Sequence, residues 1–356
     1  KGCSSEEMFS SLEIGQAPGF TKYLNQYDVI YLDITLFLST LKQSDMLVAQ
    51  IEQEIIDDLA QSYPEIAVEH RLVDSLCKMN QITGRKLILI IDEWDAMFRE
   101  CKGADEILDN YILLLRSLFK SSLTDQLFAG VYMTGILPIK KYGHESAVSD
   151  FYEYSMVEPR PLQEYIGFTT EEVKSLCQKY DKDYTIMQEW YDGYTVGGVH
   201  VYNPKSVMES ILRDKYSSYW TKTETYEALR NYIDMNFDGL KDDVLSMMAG
   251  EMVPVNTGSF SNDMTTFATK DDVLTLLVHL GYLTYDSQKE SVSIPNKEVS
   301  KEYVNAISTM DWKEVITSIE ASRKSNRMPF LWKNKAGTGS SKNYIKKRCK
   351  AVEPDT

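Results

Sequence analysis

No stretch of this 356-residue chain approaches the roughly 20 consecutive apolar residues that a membrane-spanning helix needs, and its start carries no secretory signal. A membrane partner is therefore not expected. Cysteine is scarce: Cys3, Cys77, Cys101, Cys177 and Cys349 lie scattered without paired spacing, and His70, His144, His200 and His279 are equally dispersed. That excludes a secreted disulfide framework and the short-spaced ligand sets of structural zinc, and it suits free thiols in a reducing cytoplasm. Positive charge is also in short supply. Against 53 Asp and Glu stand 38 Lys and Arg, a net charge of −15, which leaves no general surface for neutralising nucleic-acid phosphates. The exception is local, since Arg323 to Lys350 holds ten Lys and Arg and no acid, so the rest of the chain carries 28 bases against 53 acids.

What is present is the composition of a folded protein. With 43% hydrophobic residues the chain can bury one large core or several smaller ones, so neither disulfides nor structural metals are needed for stability. Tyr27 to Ile34 is a short apolar, β-branched run and reads as a strand. A helical pattern follows, with Met46, Leu47, Ile51, Ile55 and Leu59 recurring at three- and four-residue spacing. A second helical stretch runs around Arg71 to Met79, with a turn at Thr83-Gly84. Leu87 to Ile91 is the strongest apolar run and predicts a strand buried on both faces, as in parallel sheets. Another helix (Ile107, Leu108, Tyr111, Leu114, Leu115, Leu118) leads to a third strand at Leu127 to Thr134. Strands alternating with helices predict an α/β fold with a parallel sheet.

Beyond about Tyr152 the pattern changes to helices and loops. Asp271 to Tyr285 reads as a helix stopped by Gly281 and followed by a strand that Val292 to Pro295 can pair with, a helix-plus-hairpin unit of winged-helix type. Past Asn305 a helical pattern continues to about Ala321 before the basic, polar tail, which is expected to be mobile.

The chemistry centres on Asp92-Glu93, two adjacent carboxylates at the end of the apolar strand. In P-loop ATPases this is the Walker B arrangement. Open α/β sheets bind ligands at the carboxyl ends of their strands. There Asp92 is expected to help hold Mg²⁺ beside the phosphates of ATP, since Mg²⁺ takes oxygen ligands and keeps much of its water. Glu93 is expected to orient and deprotonate the attacking water. Acids at a strand end also simply cap the next helix. Here, however, Glu93-Trp94-Asp95-Ala96 brings the acids to three within four positions, which is costly unless a cation or basic partner compensates. Asp95 is therefore a further candidate for cofactor binding. Thr134 ends the next strand, either as the polar end of a strand before its turn or, being one strand after the acidic pair, as the group that contacts the γ-phosphate or its water, the sensor role. Arg160, ahead of Lys140 and Lys141, is the candidate phosphate partner. A complete site also needs a Gly-rich loop and its Lys. None is present, because Gly337-Thr338-Gly339-Ser340-Ser341-Lys342 has the wrong spacing and no upstream strand.

At Ile91-Asp92-Glu93-Trp94-Asp95 and at Glu189-Trp190-Tyr191-Asp192-Gly193-Tyr194 the chain resembles a bacterial AAA-ATPase-like family. The second motif continues as Thr195-Val196-Gly197-Gly198 and then Val201-Tyr202-Asn203-Pro204-Lys205-Ser206-Val207. Ile166-Gly167-Phe168-Thr169-Thr170-Glu171-Glu172-Val173, Tyr219-Trp220, Gly281-Tyr282-Leu283 and Ile294-Pro295-Asn296-Lys297-Glu298-Val299 also follow the family, so the likeness covers roughly residues 15 to 320. The resemblance implies Asp92 and Glu93 as Walker B residues and Thr134 as the sensor. Trp94 stands where the family usually has Tyr. Members usually begin with a Walker A loop and often end in a PD-(D/E)XK nuclease-like domain, and this chain has neither piece.

The expected architecture is thus a P-loop NTPase-type parallel sheet, N-terminally truncated, over residues 1–151. A helical lid with the WYDGY motif follows at 152–215, then a winged-helix-like unit at 216–308 and a helical extension with a basic tail at 309–356. Around a glycine turn, Trp190, Tyr191 and Tyr194 are most simply core aromatics. The expected function is that of an ATP- and Mg²⁺-dependent ATPase or nucleotide switch, with the present chain inactive alone. The alternatives are a non-catalytic interaction module, open to a protein partner or self-association, and part of a nucleic-acid-processing protein. In the last case nucleic acid is met through a C-terminal domain beyond this chain or through the basic tail.

Overall fold

The computed structural model describes residues 5–41, 45–67, 69–101, 103–120, 123–136, 151–220, 229, 232–233, 237–260 and 267–308. The expected helix beyond residue 308, the basic tail, Lys140 and Lys141 lie outside these. The chain divides into two compact units, Lys1–Glu158 with Gly258–Phe267, and Pro159–Thr257 with Ala268–Thr356.

In the first unit three one-turn helices, α1 (Glu6–Phe9), α2 (Glu13–Gln16) and α3 (Phe20–Tyr23), precede β1 (Asp28–Asp33). Asp33 ends that strand and caps α4 (Ile34–Thr40), its carboxylate accepting from the Leu36 N–H at 3.1 Å. The amphipathic α5 (Leu47–Ser62) and α6 (Leu72–Thr83) follow. Gly84, at φ +65°, stops α6 in the left-handed conformation that glycine adopts without strain. Next come β2 (Leu87–Asp92), α7 (Ala96–Glu100), α8 (Asp105–Phe119), α9 (Thr124–Leu127) and β3 (Phe128–Met133).

The three strands form one sheet in the order β1-β2-β3, and β2 runs parallel to both neighbours. Register pairs Asp33 with Asp92 and Tyr31 with Ile90, and Ile90 in turn with Tyr132. Leu87, Leu89 and Ile91 point into a core with Ile51, Ile55 and Ile56 of α5, Leu76 and Met79 of α6, and Tyr111 and Leu115 of α8. Each of the three strand residues contributes about 2 kcal/mol by leaving water.

The expectation that β2 is buried on both faces is corrected here. Its residues alternate between buried and half-buried. On the second face Val29, Tyr31 and Tyr132 are each more than half exposed. The helices described in this unit cover only the first face.

The second unit opens with β4 (Phe168–Thr169) and α10 (Thr170–Lys179), whose start is fixed by a capping box between Thr169 and Glu172. Then come α11 (Tyr184–Tyr191), β5 (Tyr194–Val196), β6 (Val199–Tyr202) and α12 (Pro204–Leu212). These strands make an antiparallel sheet, β4-β6-β5. Its two-residue turn is Gly197-Gly198, both at positive φ, as a tight hairpin between twisted strands requires. The sequence pattern showed helices and loops here, because strands of two to four residues are too short for a period to register.

The remainder runs α13 (Leu240–Met248), β7 (Val253–Pro254), α14 (Lys270–His279), β8 (Thr284–Asp286), β9 (Ser291–Ser293) and α15 (Lys297–Ser308). The sheet order is β7-β9-β8, antiparallel, with Thr284 opposite Ser293 as the strand pairing predicted. Gly281, at φ +75°, follows α14. No helix among the described residues is long and apolar enough to cross a membrane.

Candidate functional site

Parallel pairing aligns the carboxyl ends of β1, β2 and β3, and that end gathers Asp33, Asp92, Glu93 and Thr134. Asp92 is held from two sides. Its Oδ2 accepts from the Tyr31 hydroxyl at 2.7 Å, and its Oδ1 accepts from the Thr134 hydroxyl and, at 3.1 Å, from the Glu93 N–H. Hydrogen bonds from Thr134 and then Tyr31 hold the Asp92 carboxyl below the usual carboxylate range. In return, that bond to Asp92 raises the Tyr31 phenol above its ordinary value.

Just past the strand, Glu93 takes φ +52°, a left-handed conformation uncommon for a residue with a side chain. The turn is pinned by backbone bonds across to β3. Thr134 N–H donates to the Ile91 carbonyl and Trp94 N–H to the Thr134 carbonyl, both at 2.9 Å. Trp94 is buried and packs edge-on against Phe98, while the buried Tyr111 donates to the Trp94 carbonyl at 3.0 Å. An aromatic at 94 thus anchors the turn between the two carboxylates.

Three acids within four positions demanded a compensating cation, and the chain supplies one. Arg99, one turn into α7, donates from Nη2 to Glu93 and from Nε to Asp95 Oδ2 at 3.2 Å. Asp95 is fully buried, and its other oxygen accepts from the Ile136 N–H at 3.3 Å. Burial pushes the Glu93 carboxyl above the usual carboxylate range and the Arg99 charge pulls it back, with burial the larger effect. A carboxyl shifted in that direction is a better proton acceptor than an ordinary surface carboxylate.

Of the residues singled out from sequence, Asp92, Glu93, Asp95 and Thr134 therefore meet at one sheet edge. Arg160 is exposed and belongs to the second compact unit. Three contributors escaped the sequence reading: Asp33, Tyr31 and Arg99. Asp33 had a signal, because β1, like β2, ends in an acid, whereas Tyr31 and Arg99 become visible only through register and the helical return of α7.

Residues 2–144 match a family model, AAA-ATPase-like, described as a predicted AAA-ATPase. That portion of the chain is similar to the AAA-ATPase-like family. The match spans all three parallel strands and the acidic cluster, and a parallel sheet with helices is compatible with a P-loop-like fold. No curated protein matches the chain. The match ends at residue 144, so the later motifs rest on the resemblance of their sequence.

Beyond the matched residues, those motifs pack against one another within the second unit. Trp190, Tyr191 and Tyr194 are all buried. Lys297 and Lys301 of α15 sit over the Trp190 ring at 4.9 and 4.2 Å. A Cβ added at Gly193, which has φ +115°, would lie 1.8 Å from the Pro295 carbonyl oxygen. Tyr194 donates to the Gly281 carbonyl at 2.8 Å, and Thr195 N–H to the Thr284 hydroxyl at 2.9 Å. The buried Glu298 gathers three donors on one oxygen: the Ser206 hydroxyl at 3.0 Å, Tyr219 N–H at 2.7 Å and Trp220 N–H at 3.1 Å. WYDGY, YNPKSV, GYL and IPNKEV thus meet in one seam of core contacts.

Proposed function

We propose that the cluster at the carboxyl end of the parallel sheet is the acidic half of a Mg²⁺-nucleotide site. Asp92 takes the Walker B role of helping hold the metal, Glu93 activates water, and Thr134 senses the γ-phosphate. The observation that carries this reading is the meeting of Asp92, Glu93 and Thr134 from two adjacent parallel strands at one edge. Bound Mg²⁺ would neutralise phosphate charge there. The donors fit it, since Asp92 and the Thr134 hydroxyl offer only oxygen. Among the described residues no three His, Cys, Asp or Glu side chains could cage a metal. A hard cation that keeps most of its water and takes one carboxylate from the protein suits such a site.

The polypeptide's own part is positional. Tyr31 and Thr134 keep Asp92 ionised and aimed, and the backbone bonds of Thr134 fix the turn that presents Glu93. A water beside Glu93 would give its proton to that carboxylate as it attacks phosphorus. Asp95 has no exposed surface with which to touch nucleotide, so its role in this reading is to hold Arg99. Residues 152–215 are read as a helical lid and 216–308 as a winged-helix-like unit, the latter on its helix–strand–helix–hairpin order. Asp272 to Val278 of α14 are all buried. That helix therefore has no free face for a nucleic-acid groove, and the unit is read as a scaffold that moves with the nucleotide state.

The test uses the product of the complete gene. Wild type is expected to hydrolyse ATP only with Mg²⁺, and Glu93→Gln to lower kcat by about 100-fold or more while Mg-ATP affinity stays within about threefold. Equal rates for the two proteins would remove Glu93 from the mechanism. Loss of nucleotide binding in Asp92→Asn but not in Glu93→Gln would separate the two carboxylates as assigned.

A further inference from the structure

Two separate routes lead from the acidic pair to one three-residue segment. Thr134, at the tip of β3, donates through its hydroxyl to Asp92. Two residues on, Ile136 N–H donates to Asp95 Oδ1 at 3.3 Å, while Asp95 Oδ2 receives Arg99 Nε at 3.2 Å and Arg99 Nη2 reaches Glu93. Asp95 thus spends one oxygen on the strand tip and the other on the arginine that holds Glu93. Between the two anchors lies Gly135. A Cβ there would stand 2.6 Å from Asp95 Oδ1 and 2.6 Å from the Trp94 ring, so a side chain at 135 would push on both.

We propose that Asp95 and Arg99 form a relay that ties the Glu93 carboxylate to residues 134–136, making Arg99 a positioning residue for Glu93. The inference rests on the reading of Glu93 as the water-activating group. Displacement of the strand tip, as by a phosphate drawing on the Thr134 hydroxyl, reaches Asp92 directly and Glu93 through Asp95 and Arg99. The two carboxylates then answer one event together. A plain surface ion pair would not do this. Here the central anion is fully buried and Arg99 is about one-fifth exposed, so the bonds are weakly screened and directional.

The first test needs no turnover and uses the chain itself. In ¹H–¹⁵N spectra, Glu93→Gln is expected to move the Ile136 amide resonance, and the same substitution made on Arg99→Gln is expected to leave it in place. Arg99→Lys, which keeps the charge, restores part of the response. An Ile136 shift that is equal with and without Arg99 overturns the relay, whatever the protein does with ATP. In the complete gene product, Arg99→Gln and Gly135→Ala are each expected to lower kcat about tenfold with KM for Mg-ATP within about twofold, and the double variant to be no worse than Arg99→Gln alone. Independent, multiplying losses would overturn the relay. A wild type inert toward ATP but showing the Arg99-dependent Ile136 shift would instead remove the ATPase reading and keep the connection.

Discussion

Replacing Gly193 by Ala tests whether the WYDGY motif is a packing seam or a nucleotide-facing surface. Two costs add at this position. A side chain at φ +115° is strained by roughly 1–3 kcal/mol. The new methyl would also stand 1.8 Å from the Pro295 carbonyl oxygen. Backbone must yield there, and it belongs to the turn in which Asn296 accepts from Val299 N–H at 3.0 Å and from Ser300 N–H at 2.9 Å to start α15. Overpacking of this kind costs a further 1–3 kcal/mol or so. The sum is about 2–6 kcal/mol, a large part of the roughly 5–15 kcal/mol that holds an ordinary domain together. Urea unfolding followed by tryptophan fluorescence reads the loss, since Trp190 and Trp220 both lie in the seam. The midpoint should fall with the slope unchanged. A loss below about 1 kcal/mol would refute the close approach on which the seam rests. A variant of wild-type stability that bound Mg-nucleotide weakly would instead favour a lid surface.

Two further outcomes follow from buried groups of the second unit. Burial lowers the His279 imidazole from 6.5 to about 4. Its neutral form costs nothing above pH 6.5, but below that the unfolded chain takes up a proton that the folded one refuses. Stability should thus fall by up to about 3 kcal/mol between pH 6.5 and 4, and a pH series of unfolding curves in which His279→Leu loses stability as steeply as wild type would refute this. Glu298→Ala strands the Ser206 hydroxyl and two backbone N–H groups and should cost about 3 kcal/mol or more, whereas Glu298→Gln, which keeps an acceptor oxygen, should cost about half that; equal thermal unfolding of the two variants would contradict the assigned bonds.

Local pattern carried the fold a long way. The apolar run at 87–91, the helical periods of α5, α6 and α8, and glycine stops at 84 and 281 are short-range signals, and each produced the element it predicted. The acidic pair and Thr134 were also legible, because strand ends of a parallel sheet must share one edge once strand order is assumed. The small hairpin at Gly197-Gly198 was not, and neither was the open second face of the sheet, since an apolar run reports hydrophobicity and not how many neighbours arrive to cover it.

The cluster's wiring belongs to tertiary structure alone. Spacing can say that Glu93, Asp95 and Arg99 are near along the chain, but only the left-handed turn at Glu93 and the helical return of α7 bring the guanidinium onto both carboxylates. Nothing in the order of residues says that Tyr31, 61 positions before Asp92, shares its carboxylate, for that follows from register between parallel strands. The same holds for Gly193 against Pro295. Sequence determines which residues prefer strand, helix or turn, because those preferences act over a few bonds. Which distant groups then meet, and whether a carboxylate finds a cation, a hydroxyl or water, is decided by packing.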